Sequence, residues 1–307
     1  MKIYEIDWPE LSRLGYCGDK VHSGLRLSGE KIKDIEKADA IIVPLSPRET
    51  DSLTPALWTK IIEYYGIDER RFVSYDCSDF EFQTDKYPNG MFIRCNLKGW
   101  MKRKMPVSIP WSWPVEDFKN CVSIPDGGFK KDVGFHGWLS SNVRVNATDS
   151  VRNRFGDEAD LACYKEFWGY TERDDPALAK TRREGFVNSM KQCRLQLTPA
   201  SIHNVYPYRF WEAMSAGRVP VLFCDDYVAP FADKIDYGSC TIRYGVQDSI
   251  NAGNLIKQWL RDHTDEQIIE MGKRGREYFE KWLFRDKWPD LMTLAVEEKL
   301  KSEGLLK

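Results

Sequence analysis

The sequence predicts an α/β protein made of two successive strand–helix units, and three observations predict it. Short continuous apolar runs such as Ala40-Ile41-Ile42-Val43-Pro44-Leu45 fit strands buried on both faces of a parallel sheet. Helical periods alternate with those runs instead of gathering at one end of the chain. The alternation stops in an irregular, Trp- and Pro-rich stretch over 88–125 and then restarts. A length of 307 residues also suits two compact domains better than one.

Taken in order, residues 1–8 alternate as a strand, Lys31–Asp39 has helical spacing, and Ala40–Leu45 is a buried strand. After Pro55 the helical period returns through Trp58, Ile61, Ile62 and Tyr65, and Phe72–Asp76 is the next strand. Ile124-Pro125-Asp126-Gly127-Gly128 has the turn residues of a linker. Beyond it, Val133–Gly137 reads as a strand ending in a turn, Thr148–Phe155 as a helix, Ala159–Tyr164 as a strand and Pro176–Lys191 as a longer helix. Leu195–Leu197 and Val219–Cys224 are strands flanking the helix Arg209–Ala216. Ser249–Leu260 and Asp265–Phe284 are helical, and Pro289 interrupts the pattern before Leu291–Leu300. The division is a first domain over 1–125, a second over 126–285 and a C-terminal helix over 286–307.

Composition excludes several classes. A net charge of −2 argues against a general nucleic-acid binder, whose affinity comes from neutralising phosphates. The eight cysteines are spread along the chain without C-x-x-C spacing, so they read as reduced thiols rather than a disulfide framework. The N-terminus carries charges too early for a signal peptide, and no apolar run approaches the roughly 20 residues that cross a bilayer. A cytoplasmic protein is expected.

The chemistry concentrates between Leu197 and Asp226, which reads as strand, polar loop, short helix, glycine stop, strand and acidic loop. Ligands on open α/β sheets bind beyond the carboxyl ends of the strands. The Ser201–Tyr208 loop falls there. Arg209 and Glu212, at i and i+3, share one face of the helix that follows. Free N–H groups at that helix start can receive an anion, and an arginine beside them adds a planar partner for phosphate. A carboxylate one turn further in can accept hydrogen bonds from ribose hydroxyls. Such a pair alone is also what an ordinary surface ion pair looks like; its place on a strand–loop–helix unit favours the site. Gly217 ends the helix.

This segment resembles the signature of the exostosin family of inverting glycosyltransferases. The shared elements are Leu197-Thr-Pro199, Arg209-x-x-Glu212-Ala213, Gly217-x-x-Pro220-Val221 and Asp225-Asp226-Tyr227-Val228-x-Pro230-Phe231. Val133-Gly-Phe-His136-Gly137, followed by Val151-Arg152, is similar to the first strand of the family's nucleotide domain and a later arginine. The resemblance spans about residues 130–235 and none of 1–125. It implies a GT-B fold, with two Rossmann-like domains facing across a cleft and a C-terminal helix crossing back. It also implies transfer of a sugar, with inversion, from a nucleotide-diphosphate donor, commonly a UDP-sugar. By motif position Arg209 would bind the diphosphate and Glu212 the ribose. The Gly137–Ser141 turn with Ser140, together with Ser201, Tyr208 and Arg152, completes the donor set, and His136 either contacts the diphosphate or fills its turn.

Asp225-Asp226 invites a metal reading, but neighbouring strand residues point to opposite faces, so metal-independent transfer without a cofactor is expected. His203 and His263 lack a partner at metal spacing. Inverting transfer needs a general base. The glycine-rich stretch Gly15–Gly24 offers Asp19 and His22, and the bland alternative is a turn cap and a solvated ring. For the acceptor, Lys98, Trp100, Lys102 and Arg103 lie in a basic stretch over 91–115 that also holds Trp111 and Trp113. Aromatic faces and cations suit sugars and phosphates, and a core of tryptophans under a solvated lysine face fits equally. Three readings stay open: an inverting glycosyltransferase acting on a glycan or glycoconjugate, of a kind suited to a bacterium or large virus; a transferase modifying hydroxymethylated bases of phage DNA; and a non-catalytic nucleotide- or carbohydrate-binding module.

Overall fold

Lys2–Glu5 (β1) opens the first of two parallel sheets. The computed structural model describes residues 1–16, 25–45, 53–76, 87, 89–95, 97–104, 106–112, 114–121, 124, 127–166, 173–201 and 206–307. The chain divides into two compact units. The first comprises Met1–Trp113, Asp226–Phe231 and Trp282–Lys307; the second comprises Pro114–Asp225 and Ala232–Lys281. Each is a Rossmann-like α/β body, the class the sequence predicts.

In the first unit, Glu30–Lys31 (β2), Ala40–Ile42 (β3), Phe72–Asp76 (β4), Met91–Arg94 (β5) and Ile109–Pro110 (β6) join β1 in the order β2-β1-β3-β4-β5-β6, every pair parallel. The helix Pro55–Tyr65 packs Leu57, Trp58 and Ile61 on this sheet. Thr54 caps its start, accepting the Leu57 N–H, and Gly66 ends it at φ +63°, the left-handed value that glycine takes without strain. The last helix, Trp288–Ser302, belongs to this unit. Trp288 packs edge-on against Tyr75 and Trp111, the Ser28 N–H donates to Thr293, and the Met1 ammonium pairs with Glu297 at 3.2 Å. Pro289 stands in its first turn, where its missing N–H costs nothing, so it starts this helix rather than breaking one.

In the second unit, Lys131–Trp138 (β7), Ala159–Tyr164 (β8), Cys193–Leu197 (β9), Val219–Phe223 (β10) and Ile242–Tyr244 (β11) form the order β8-β7-β9-β10-β11, again all parallel. By position in the unit that order is 2-1-3-4-5, whose direction of winding reverses between the first and third strands, β7 and β9. Val133, Phe135, Leu195, Leu197, Val219, Val221 and Phe223 point into one core, beneath the helices Asn142–Phe155 and Ala252–Arg261. The alternate residues meet the helices Pro176–Gln192 and Tyr208–Ser215: the ring of His136 lies against Gly185, and Phe186, Met190 and Ala216 share a smaller cluster.

Three elements differ from the sequence pattern. Lys31–Asp39 holds only the one-turn helix Ile35–Lys37, because Glu30–Lys31 pairs with β1; Ile32, just after that strand, and Ile35, in the single turn, both pack against the core. The stretch over 88–125, read as irregular, contributes β5 and β6; the four residues of β5 are fully buried but too short to stand out between Pro and Gly. A fifth strand, Ile242–Tyr244, completes the second sheet. Among the described residues, no helix is long and apolar enough to cross a membrane, and the six described cysteines are free thiols.

Candidate functional site

At the reversal point of the second sheet, the chain leaving β7 meets the chain leaving β9. Ser140 Oγ lies 3.3 Å from Ser201 Oγ, and Ser141 Oγ donates to the Ala200 carbonyl at 2.8 Å. Ser141 also caps the helix Asn142–Phe155, so its hydroxyl joins a helix start to the neighbouring loop. Arg144 adds a second tie, donating to the Trp138 carbonyl at 2.8 Å and to the Pro199 carbonyl at 3.3 Å. Two strand ends and a capped helix N-terminus are thus fixed together where open α/β sheets receive ligands.

Arg209 and Glu212 reach the same strand end. Arg209 donates through Nη1 to Glu212 and through Nε to the main-chain oxygen of His136 at 3.1 Å, and its guanidinium covers the Phe186 ring at 3.9 Å. The two side chains are only 22% and 10% exposed, so the pair is turned inward and is not a solvated surface bridge. The reason is local: Phe210, Trp211, Ala213 and Met214 bury the opposite face of the helix. Gly217, at φ +64°, then turns the chain into β10.

The ring of His136 is engaged elsewhere. Its Nε2 is 3.1 Å from Asp160 and its Nδ1 is 3.5 Å from the Tyr164 hydroxyl. That hydrogen bond, more than anything else, holds the Asp160 carboxyl below the usual carboxylate range, while burial raises the Tyr164 phenol. His136 therefore offers the site its carbonyl, with its imidazole packed under the helix Pro176–Gln192. That helix brings two residues the sequence reading passed over. Arg182 covers the Tyr164 ring at 4.4 Å, and Arg183 pairs with Glu116 and covers Phe118 at 4.8 Å. Burial draws the Arg183 pKa down from its ordinary value, with Glu212 and Arg209 acting on it as opposing neighbours. The adjacent arginine doublet upstream of Phe186 was its available signal; nothing local tied it to Arg209.

The other expected residues distribute as follows. Gly137 lies in β7 beside the turn, and Tyr208, 42% exposed, opens the Tyr208–Ser215 helix. Arg152 is not drawn into the cluster: half-exposed, it pairs with Asp149 at 2.5 Å and reaches Cys163 Sγ at 3.4 Å. Asp225 accepts the Val246 N–H at 3.1 Å, and Asp226 belongs to the first unit, its main-chain oxygen accepting the Gly99 N–H. No group of three or more His, Cys, Asp or Glu residues suited to a metal occurs among the described residues. His263 stacks on Trp259 with ring centroids 3.7 Å apart.

In the first unit the described acceptor candidates, Lys98, Lys102 and Arg103, differ in exposure. Lys98 is buried, its backbone bridged to Tyr227; Lys102 turns inward and donates to the carbonyls of Pro106 and Ser108; Arg103 is exposed. Burial lowers Lys102 to about 8. Trp111 is core, packed on Phe231 and Trp288. Asp19, His22, His203, Trp113 and the side chain of Trp100 lie outside the described residues.

No family model matches the sequence, and no curated protein sequence matches it. Solved structures do. HepE of Anabaena, in complex with UDP and glucose, is similar over 88% of this chain and 78% of its own, at 13% identity and a TM-score of 0.44. A glycosyltransferase from Rickettsia africae is similar over 100% and 98%, at 10% identity and 0.40. TarM is similar over 82% and 58%, at 14% identity and 0.41. Likeness this remote assigns neither donor nor acceptor to the present chain.

Proposed function

We propose that this chain is a glycosyltransferase that takes its sugar from a nucleotide-diphosphate donor, a UDP-sugar above the alternatives, and transfers it with inversion to a hydroxyl of a glycan or glycoconjugate. The observation that supports the reading is the inward pair Arg209–Glu212 at the carboxyl end of β7, beside the joined turns of Ser140 and Ser201. The long motif from Leu197 to Phe231 supports the reaction class.

In this reading the diphosphate lies against the Arg209 guanidinium and the N-terminus of the helix Asn142–Phe155, beside the two turns. Glu212 holds one carboxylate oxygen on Arg209 and accepts ribose hydroxyls on the other. A general base, Asp19 or His22, takes the proton of the acceptor hydroxyl. The acceptor oxygen bonds to the anomeric carbon as that carbon's bond to the diphosphate breaks, and the electron pair leaves on phosphate oxygen. Fixed donors aimed at that developing charge supply the rate enhancement. Transfer needs no metal in this scheme. Lys98, Trp100, Lys102 and Arg103 are proposed as the stretch from which acceptor contacts come.

A thermal-shift series with UDP, GDP and CMP tests it. A nucleotide at a hundred times its Kd stabilises the protein by about 2.7 kcal/mol. UDP should raise Tm in the wild type and leave Arg209→Ala unmoved, while Asp19→Ala keeps the shift and loses release of UDP from UDP-sugar. An unchanged UDP shift in Arg209→Ala would reject the site. Absence of any nucleotide release with every donor would reduce the protein to a binding module.

A further inference from the structure

Three guanidinium groups of the second unit each lie on an aromatic face: Arg182 on Tyr164, Arg183 on Phe118 and Arg209 on Phe186. The faces belong to one neighbourhood. Phe118 and Phe186 meet edge to face at 5.7 Å, Tyr164 touches the ring of His136, and Arg209 bonds the His136 carbonyl. Stacking holds a guanidinium flat and leaves its edge N–H groups aimed outward in the ring plane, the geometry that grips phosphate oxygens in pairs. Two of these cations meet a carboxylate: Arg209 pairs with Glu212 and Arg183 with Glu116. Glu212, 10% exposed, is built into the floor, whereas Glu116, whose side chain is 72% exposed, reaches Arg183 from a segment outside helix and strand. An exposed carboxylate on a half-buried arginine contributes little stability, so it exchanges readily for a better anion.

Building on the proposed donor site, we infer that Arg182 and Arg183 complete, with Arg209, the cradle for the donor's diphosphate, and that Glu116 occupies Arg183 as an internal stand-in for phosphate, which the donor displaces. A diphosphate has oxygens enough to engage the Arg183 and Arg209 forks together, which the single phosphate of a nucleoside monophosphate does less well. Arg183 and Arg182 are thereby assigned to donor binding, and Glu116 to occupying Arg183 until the donor arrives.

The test is the Kd of UDP, and of UMP as control, measured calorimetrically for the intact wild-type chain and for Glu116→Gln, Arg183→Ala, the double variant and Arg209→Ala. Removing the competitor should tighten UDP by about threefold or more in Glu116→Gln, and Arg183→Ala should weaken it by about tenfold, with smaller effects on UMP. In the double variant the gain from Glu116→Gln should vanish, because it acts through Arg183. Arg183→Lys, which keeps charge without the planar fork, substitutes if Arg183→Ala does not fold, and should weaken UDP as well. Unchanged UDP binding in Glu116→Gln, or a gain that survives in the double variant, overturns the inference. If Arg209→Ala alone abolishes binding, the donor site stands and only this inference fails; if no variant alters UDP binding, both fail.

Discussion

Arg209 is held on three sides at once: a carboxylate one turn along its own helix, a main-chain carbonyl on β7 and an aromatic face on the neighbouring helix. A lysine could satisfy one of these at a time. The i,i+3 spacing to Glu212 was legible in the sequence because it is local. The contacts with Phe186 and the His136 carbonyl, and the neighbouring Arg182 and Arg183, were not, because they join elements that only the sheet order brings together. His136 shows the same limit: its place at the end of a strand was readable, but which face its ring takes depends on strand parity and on Gly185, where a Cβ would come within 3.2 Å of the ring. The His136–Asp160 pair carries a testable pH signature. Asp160 is depressed in the folded state, so the unfolded chain binds its proton first. The stabilisation is therefore complete above the unfolded carboxylate value of about 4 and is lost as pH falls through the lower folded value. Tm measured across acid pH should show wild type exceeding Asp160→Asn near neutrality, with the gap closing below about pH 4. A gap independent of pH would mean that the carboxylate's charge contributes nothing.

At the scale of elements, the helix Tyr208–Ser215 is short, and its placement comes from what surrounds it. Gly217 turns the chain at its end, and the helix Asp265–Tyr278 seats Gly272 directly on the Gly217 carbonyl. A methyl at 272 would stand on that oxygen and 3.0 Å from the Gly217 carbonyl carbon, with only backbone to yield. Gly272→Ala should therefore cost about 1–3 kcal/mol, against the gain expected of Gly→Ala in a helix interior. Urea unfolding would read this, and a stabilised variant would refute the packing. Elements with strong local pattern were visible beforehand, such as Ala40–Ile42, Pro55–Tyr65 and Val219–Phe223. Those defined by pairing were not. Glu30–Lys31 is a strand through its bonds to β1, and Ile109–Pro110 holds a proline at a sheet edge, where the missing donor is tolerated.

For the whole molecule, the chain makes one parallel sheet, then another, and returns twice to the first body. The second return is the C-terminal helix. The first is brief: Val228 N–H bonds Leu97 O and Phe231 packs on Trp111, so the acidic motif is split between Asp225 in the second unit and Asp226–Phe231 in the first. Sequence order alone presents that motif as one loop. The winding reversal between β7 and β9 gives the second unit a ligand position of its own, and every residue proposed for the donor lies in that unit. Difference density from crystals of the full chain soaked in UDP tests this most directly. The account predicts a diphosphate against the Arg209 guanidinium and the Ser140–Ser201 turns; a diphosphate bound to the first sheet, or anywhere that leaves Arg209 untouched, would contradict it.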